Sequence, residues 1–194
     1  MRRTILLFLC SVMAVAFMAA QEDAPKTALV LIDIQAFYFD TTKAPLEGRF
    51  DATENAQSIL DDFRKNGDEV VHVMHKGGGE IHEWVKPLPE EKVIVKENVS
   101  CFRDTPLLAY LKEKEIEQLV IAGMMTHMCV EAATRAADDL GFETILIHDA
   151  CATRDLKFGD EIIAAQDVHL STLSTLKAYA TILSTGEYLD ADKE

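Results

Sequence analysis

Apolar runs alternate with amphipathic segments along most of the chain. The run Thr27–Asp33 is almost continuously apolar, which is typical of a strand buried on both faces of a sheet. Similar runs predict five further strands, at residues 69–75, 92–96, 118–123, 143–148 and 178–183. Apolar residues at helical spacing between these runs predict helices at 52–66, 105–114, 126–140 and 164–176.

This order of elements predicts an α/β fold. Strands separated by helices form a parallel sheet through right-handed crossovers, so we expect a doubly wound sheet of about six strands with helices on both faces. The chain has 194 residues and is 48% hydrophobic, which suits a single three-layer domain with a sizeable core. Ligands of such sheets bind beyond the carboxyl ends of the strands, where the strand order reverses.

Three reactive side chains fall at that edge of the predicted sheet. Asp33 closes the first strand, Lys96 closes the third, and Cys129 stands six residues beyond Gly123 at the opening of a helix. A carboxylate that ends an apolar strand needs a partner, which Lys96 supplies if the strand ends lie close together. The helix dipole and Lys96 favour a thiolate at Cys129. Each residue also has a purely structural interpretation. Asp33 could be a turn residue, Lys96 a solvated lysine and Cys129 a small core side chain.

Residues 1–20 are predicted to be a cleaved signal peptide, which leaves a domain at 21–194. Arg2 and Arg3 precede an apolar run that is short for a membrane span and is followed by polar residues. We expect cleavage after Ala20, with Ala16 as a second choice and an uncleaved anchor as the alternative. The mature protein is therefore expected in the periplasm or outside the cell, and free of the membrane.

The net charge and the cysteine content exclude some kinds of function. The chain has 19 Lys and Arg against 33 Asp and Glu, a formal net charge of -14, which argues against a nucleic-acid partner. Four cysteines are present, Cys10, Cys101, Cys129 and Cys151, and the first leaves with the signal peptide. Three remain in an oxidising compartment, so at least one thiol stays free or pairs between chains. None of the cysteines has the spacing of a zinc site.

Several segments resemble motifs of one enzyme family. Gly123–Val130 resembles the nucleophile motif of the isochorismatase-like cysteine hydrolases, which include nicotinamidases. Leu31–Gln35 resembles the first-strand motif of that family, and Val95-Lys96 resembles its lysine. Asp149–Thr153 and Asp167–His169 resemble further landmarks of its members. The match runs in order through nearly the whole mature chain.

This resemblance implies a mechanism. Cys129 attacks a small amide or related C–N bond, Asp33 takes the thiol proton and later activates water, and Lys96 supports the pair. The resemblance also implies a cis peptide bond between Met124 and Met125, and an oxyanion held by the backbone N–H groups of Met125 and Cys129. The substrate is then a small molecule, and the protein a homo-oligomer, as is common in the family.

Departures from the family pattern bear on metal and substrate. Nicotinamidases carry an Asp-x-His…His metal site shortly after the catalytic aspartate, whereas this chain has no histidine before His72. We therefore expect no metal, no other cofactor and a substrate other than nicotinamide. Four side chains are candidate substrate contacts: His127, Phe37, Phe102 and His75. Phe39, His82 and Trp84 are further candidates for the pocket wall.

Two other functions stay open at this point. The first is vinyl-ether cleavage of the isochorismatase type, which need not use the cysteine as nucleophile. The second is a non-enzymatic or redox role in the cell envelope for Cys101, Cys129 and Cys151. A bridge between Cys101 and Cys151 is not expected, because they follow the third and fifth strands, which the family order places well apart.

Overall fold

The computed structural model describes residues 24–43 and 45–191. The predicted signal peptide lies outside these residues. Within them, no helix combines the length and the apolar character that crossing a membrane requires.

The described residues contain one six-stranded parallel sheet and one short antiparallel hairpin. The strands are β1 Thr27–Ile32, β2 Glu69–His75, β3 Lys92–Lys96, β4 Gln118–Met124, β5 Glu143–Ala152, β6 Leu156–Phe158, β7 Glu161–Ile163 and β8 Thr181–Leu183. The main sheet has the order β3-β2-β1-β4-β5-β8, and β6 pairs with β7 in the hairpin. The order reverses between β1 and β4, which is where a ligand site is expected.

Helices cover both faces of the sheet, so the predicted fold class is confirmed. In the part of the chain that the structure describes, the α-helices are α1 Arg49–Asn66, α2 Leu107–Glu113, α3 Glu131–Asp139, α4 Ala165–Leu176 and α5 Thr185–Ala191. Buried residues of α1 and α5 form one core with the sheet, and those of α2, α3 and α4 form the other. β1 and β4 run through the middle and are buried at nearly every position, as their apolar sequences predict.

The predicted last strand is wrong in its first half. Residues 178–180 extend the end of α4 instead, since the N–H groups of Tyr179 and Ala180 both donate to the Leu176 carbonyl, at 2.9 and 3.0 Å. The guanidinium of Arg135 lies 4.5 Å from the centre of the Tyr179 ring. Only Thr181–Leu183 joins the sheet, beside β5. The short β6, β7 and α5 were not predicted.

Gly123 stands where β4 passes closest to β1. A Cβ at this position would lie 2.1 Å from the Ile32 carbonyl oxygen, and φ is +133°, which side chains rarely adopt. Gly123→Ala is therefore expected to lower the free energy of unfolding by about 3 kcal/mol or more, measured by urea denaturation. The matched control is Gly186→Ala within α5, where a Cβ meets nothing within 4 Å. Gly186→Ala should leave the free energy of unfolding unchanged or raise it by up to about 1 kcal/mol. Equal effects of Gly123→Ala and Gly186→Ala would contradict this explanation.

Candidate active site

Three elements deliver three reactive side chains to the carboxyl edge of the sheet. Asp33 directly follows β1, with φ 52° turning the chain away from the strand while its N–H still donates to the Val73 carbonyl at 2.9 Å. Lys96 ends β3 on the buried side of that edge strand, whereas Val95 beside it is exposed. Cys129 lies in a π-helical turn, Thr126–Val130, between β4 and α3.

Lys96 connects the other two side chains. Its Nζ lies 2.7 Å from Asp33 Oδ2 and donates to Cys129 Sγ at 3.2 Å. The same ammonium also donates to the Asn98 carbonyl at 3.2 Å, so its three N–H groups have three partners. Asp33 and Lys96 are each 1% exposed and Cys129 is 5% exposed. A buried ammonium and a buried carboxylate each require the other, so this pair is expected to be rigid.

Burial sets the protonation states. It raises the pKa of Asp33 in spite of the Lys96 charge. Burial alone would lower the pKa of Lys96, but the charge and hydrogen bonding of Asp33 outweigh it and raise that pKa. Burial, followed by the Asp33 carboxylate, raises the pKa of the Cys129 thiol to about 12. The charge and hydrogen bond of Lys96 lower this pKa but do not offset the effect of burial. That the helix terminus and Lys96 favour a thiolate at Cys129 stays a prediction.

The Asp33 carboxylate can still accept a proton. Its Oδ2 is paired with the Lys96 ammonium at 2.7 Å, which leaves Oδ1 outside that contact. The Cys129 thiol lies beside the same carboxylate, close enough for Asp33 to raise its pKa. Because a carboxylate has about four lone-pair sites, Asp33 has free acceptor positions next to the sulfur.

The backbone before Cys129 has the conformation that the resemblance implied. The peptide bond between Met124 and Met125 is cis. The Met125 carbonyl accepts hydrogen bonds from the N–H groups of Met128 and Val130, at 3.0 and 3.3 Å, which close the turn.

A cavity of about 270 Å³ adjoins the Cys129 sulfur. Its walls are mainly apolar side chains, contributed by Phe37, Tyr38, Val99, Met125 and Met128. His75, Lys76 and the backbone of Gly77 and Gly78 add polar atoms to the lining. Cys129 therefore lines a space that suits a small molecule with an apolar body.

Two of the four predicted substrate contacts line this cavity, Phe37 and His75. Phe102 does not. Its ring stacks against Phe142, with the centroids 6.3 Å apart, and packs on the core beneath α2 and α3. Phe102 is thus partly buried against the core and is not among the residues that line the cavity. Its contact with substrate stays a prediction.

The remaining candidates also lie outside the cavity lining. His127 hydrogen-bonds through Nδ1 to Thr153 Oγ1, on the side of the turn next to β5. Phe39 stacks on His82 with ring centroids 4.0 Å apart, and His82 contacts Trp84 edge to face at 5.1 Å. Phe39, His82 and Trp84 thus pack against one another, and neither they nor His127 are among the residues that line the cavity.

Gln35 is a site residue whose role the sequence reasoning missed. Its buried side chain donates to the carbonyls of His75 and Gly79, at 3.1 and 2.8 Å, and accepts from the His75 N–H at 2.7 Å. A Cβ on Gly78 would lie 2.7 Å from the Gln35 amide nitrogen, so an alanine there would displace the Gln35 amide group. Gln35, which also lines the cavity, thus holds the loop after β2 in place. In the sequence, its position two residues beyond Asp33 was the signal that could have identified it. Tyr38, Val99 and Met128 were missed as well.

Within residues 24–43 and 45–191, no group of three His, Cys, Asp or Glu side chains could hold a metal ion. His72 is buried in β2, with Nε2 2.9 Å from Glu91 Oε2. Arg64 of α1 binds the same carboxylate at 2.7 Å. His72 therefore belongs to a structural ion cluster and does not line the cavity.

The chain is similar to known proteins along most of its length. The family model of the isochorismatase domain matches residues 27–185. An uncharacterized isochorismatase family protein of Bacillus subtilis, YddQ, is 39% identical over 177 residues, which cover 84% of this chain and 98% of that protein.

A solved structure and a relative with a named activity extend the comparison. An isochorismatase-type hydrolase of Oleispira antarctica superposes with a TM-score of 0.82 at 41% identity, covering 87% of this chain and 98% of the other. A ureidoacrylate amidohydrolase of Acinetobacter baylyi is 28% identical over 131 residues, which are 64% of this chain and 54% of that protein. Fold, motif order and sequence identity agree, and the chain belongs to the isochorismatase family of hydrolases.

Proposed function

We propose that the protein is a cysteine hydrolase that cleaves a small amide or related C–N bond through a thioester on Cys129. One observation carries this proposal: the buried ammonium of Lys96 contacts both the Asp33 carboxylate and the Cys129 thiol. Its Nζ lies 2.7 Å from Asp33 and 3.2 Å from the Cys129 sulfur, and Cys129 lines a cavity. Asp33 is the general base, and Lys96 is the supporting residue.

The first half-reaction begins with proton transfer. Because the pKa of Cys129 is about 12, the thiol needs a base, and Asp33 takes its proton as the sulfur attacks the substrate carbonyl carbon. Burial raises the pKa of Asp33, which makes its carboxylate a better proton acceptor. The carbonyl oxygen becomes an oxyanion, and the N–H groups of Met125 and Cys129 donate to it.

The second half-reaction returns the enzyme to its resting state. The oxyanion collapses, the C–N bond breaks, and the leaving amine or ammonia takes the proton held by Asp33. Asp33 then removes a proton from water, which attacks the thioester and releases the acid and the Cys129 thiol. Lys96 stays protonated and balances the negative charge, first on Asp33 and then on the sulfur.

Two facts support an amide substrate. The cavity of about 270 Å³ has apolar walls, which suits a small amide with an apolar body. A relative is named for amidohydrolase activity on ureidoacrylate. The direct test is an ammonia-release screen over small amides, with Cys129→Ala measured in parallel. Release that depends on Cys129 supports the proposal; pyruvate release from isochorismate that survives Cys129→Ala would favour vinyl-ether cleavage.

We also propose that the reaction needs no metal. Dialysis against a strong chelator is expected to leave the hydrolysis rate unchanged, because the oxyanion is held by backbone N–H groups, whereas a thiol alkylator should abolish the rate. The rate is measured before and after each treatment, with an untreated sample carried through dialysis as the control. Loss of activity on chelation, restored by zinc or iron, would contradict the proposal.

A further inference from the structure

The turn that carries Cys129 is tied to its surroundings on two sides. Thr126 Oγ1 and His169 Nδ1 are hydrogen-bonded at 2.9 Å, which ties the start of the turn to α4. His127 Nδ1 and Thr153 Oγ1 are hydrogen-bonded on the other side, next to the end of β5. His169 belongs to the motif Asp167–His169, for which the reaction scheme has no role.

The bond between Thr126 and His169 is well placed to fix the turn. Thr126 is fully buried, and a buried hydroxyl requires a hydrogen-bond partner, which here is the ring of His169. Val168, Leu173 and Leu176 anchor α4 in the core, so the ring extends from a packed helix. Burial, and then the nearby His148, lowers the pKa of His169, which keeps the ring neutral at pH 7 and able to accept one hydrogen bond.

We propose that His169 is a positioning residue, which holds Cys129 Sγ against Asp33 by fixing Thr126 three positions earlier in the turn. His169 is not among the residues that line the cavity. Within the turn, the N–H groups of Met128 and Val130 bond to the Met125 carbonyl, and the Glu131 N–H bonds to the carbonyls of Met128 and Thr126. These bonds run along the backbone, whereas the bond to His169 connects the turn to another helix. This inference rests on the proposed function, since it assumes that the geometry of the sulfur limits the rate.

The test separates the hydrogen bond from the bulk of the ring. His169→Phe keeps a ring and removes the bond, Thr126→Val removes the hydroxyl at nearly constant volume, and His169→Asn places a polar group near the Nδ1 position. Thr172→Val is the matched control, because the Thr172 hydroxyl donates within α4, to the Val168 carbonyl at 2.8 Å. The readouts are kcat and KM on an amide from the screen, the rate of Cys129 alkylation by iodoacetamide, and Tm.

His169→Phe and Thr126→Val should each lower kcat and the alkylation rate of Cys129 by about 10- to 100-fold, since small misplacements of reacting groups cost that much. KM should stay within about twofold of wild type, and the double variant should be no worse than either single one, as expected for two halves of one contact. His169→Asn should recover most of the loss, and Thr172→Val should change neither rate.

Three results would overturn the positioning role. They are an unchanged kcat and alkylation rate in His169→Phe, losses that multiply in the double variant, or equal losses in Thr172→Val that follow Tm. Failure of the proposed function has a different signature. In that case Cys129→Ala would keep its activity, while the dependence of Cys129 alkylation on His169 would still be measurable.

Discussion

Cys129→Ala is expected to reduce the rate of amide hydrolysis by at least about 10⁴-fold, because the proposed covalent intermediate forms on its sulfur. The fold should survive the change. The side chain is small, and its removal leaves the ion pair between Asp33 and Lys96 at 2.7 Å. The free energy of unfolding should therefore change by about 1 kcal/mol or less. Steady-state ammonia release and urea denaturation on the same preparation measure the two effects.

Cys151→Ala is the matched control for this change. Cys151 is buried to a similar degree, its thiol donates to the Ile147 carbonyl at 3.3 Å, and its pKa is also raised to about 12 by burial. It lines a separate cleft near the start of α4. Its replacement should leave the rate within about twofold of wild type. Similar losses for both cysteines would count against a specific nucleophile.

Asp33→Asn is expected to lower the rate by about 10³-fold or more, because an amide cannot accept the thiol proton or activate water. In the wild type, kcat/KM should fall as the pH drops through the pKa of Asp33, since only the ionised carboxylate acts as base. That pKa is raised above 3.8 by burial, so the fall should begin above pH 3.8. The variant should lack this dependence, which a pH profile of kcat/KM measures.

The same change removes the counter-charge of Lys96. The buried ammonium then has no carboxylate partner, and the free energy of unfolding should fall by about 3 kcal/mol. Rates are therefore compared at a temperature where circular dichroism shows the variant folded. Asp40→Asn is the control, because the Asp40 carboxylate accepts from Thr42 and contacts Lys43, outside the cavity lining. Near-wild-type activity in Asp33→Asn would exclude Asp33 as the base.

The sheet could be predicted because its strands are short apolar runs with helices between them. β1 and β4 are buried on both faces, so their sequences carry almost no polar residues to obscure the pattern. The error at residues 178–180 has the opposite cause. A short apolar run also fits the end of a helix, and here the N–H groups of Tyr179 and Ala180 bond to the Leu176 carbonyl while the Tyr179 ring contacts Arg135.

The meeting of Asp33, Lys96 and Cys129 could be predicted because parallel strands end at one edge. Their protonation could not, since the raised pKa of Cys129 depends on burial by segments distant in sequence. The position of Phe102 depends likewise on Phe142, 40 residues later. Export through a signal peptide and assembly into a homo-oligomer stay predictions.

Trapping the proposed thioester on Cys129 tests the mechanism directly. An amide substrate is turned over at steady state, the reaction is quenched in acid, and the protein is digested and analysed by mass spectrometry. We expect an acyl group on the peptide that contains Cys129, removable by hydroxylamine and absent from Cys129→Ala. Turnover without any adduct on that peptide, with Cys129→Ala still active, would contradict the mechanism.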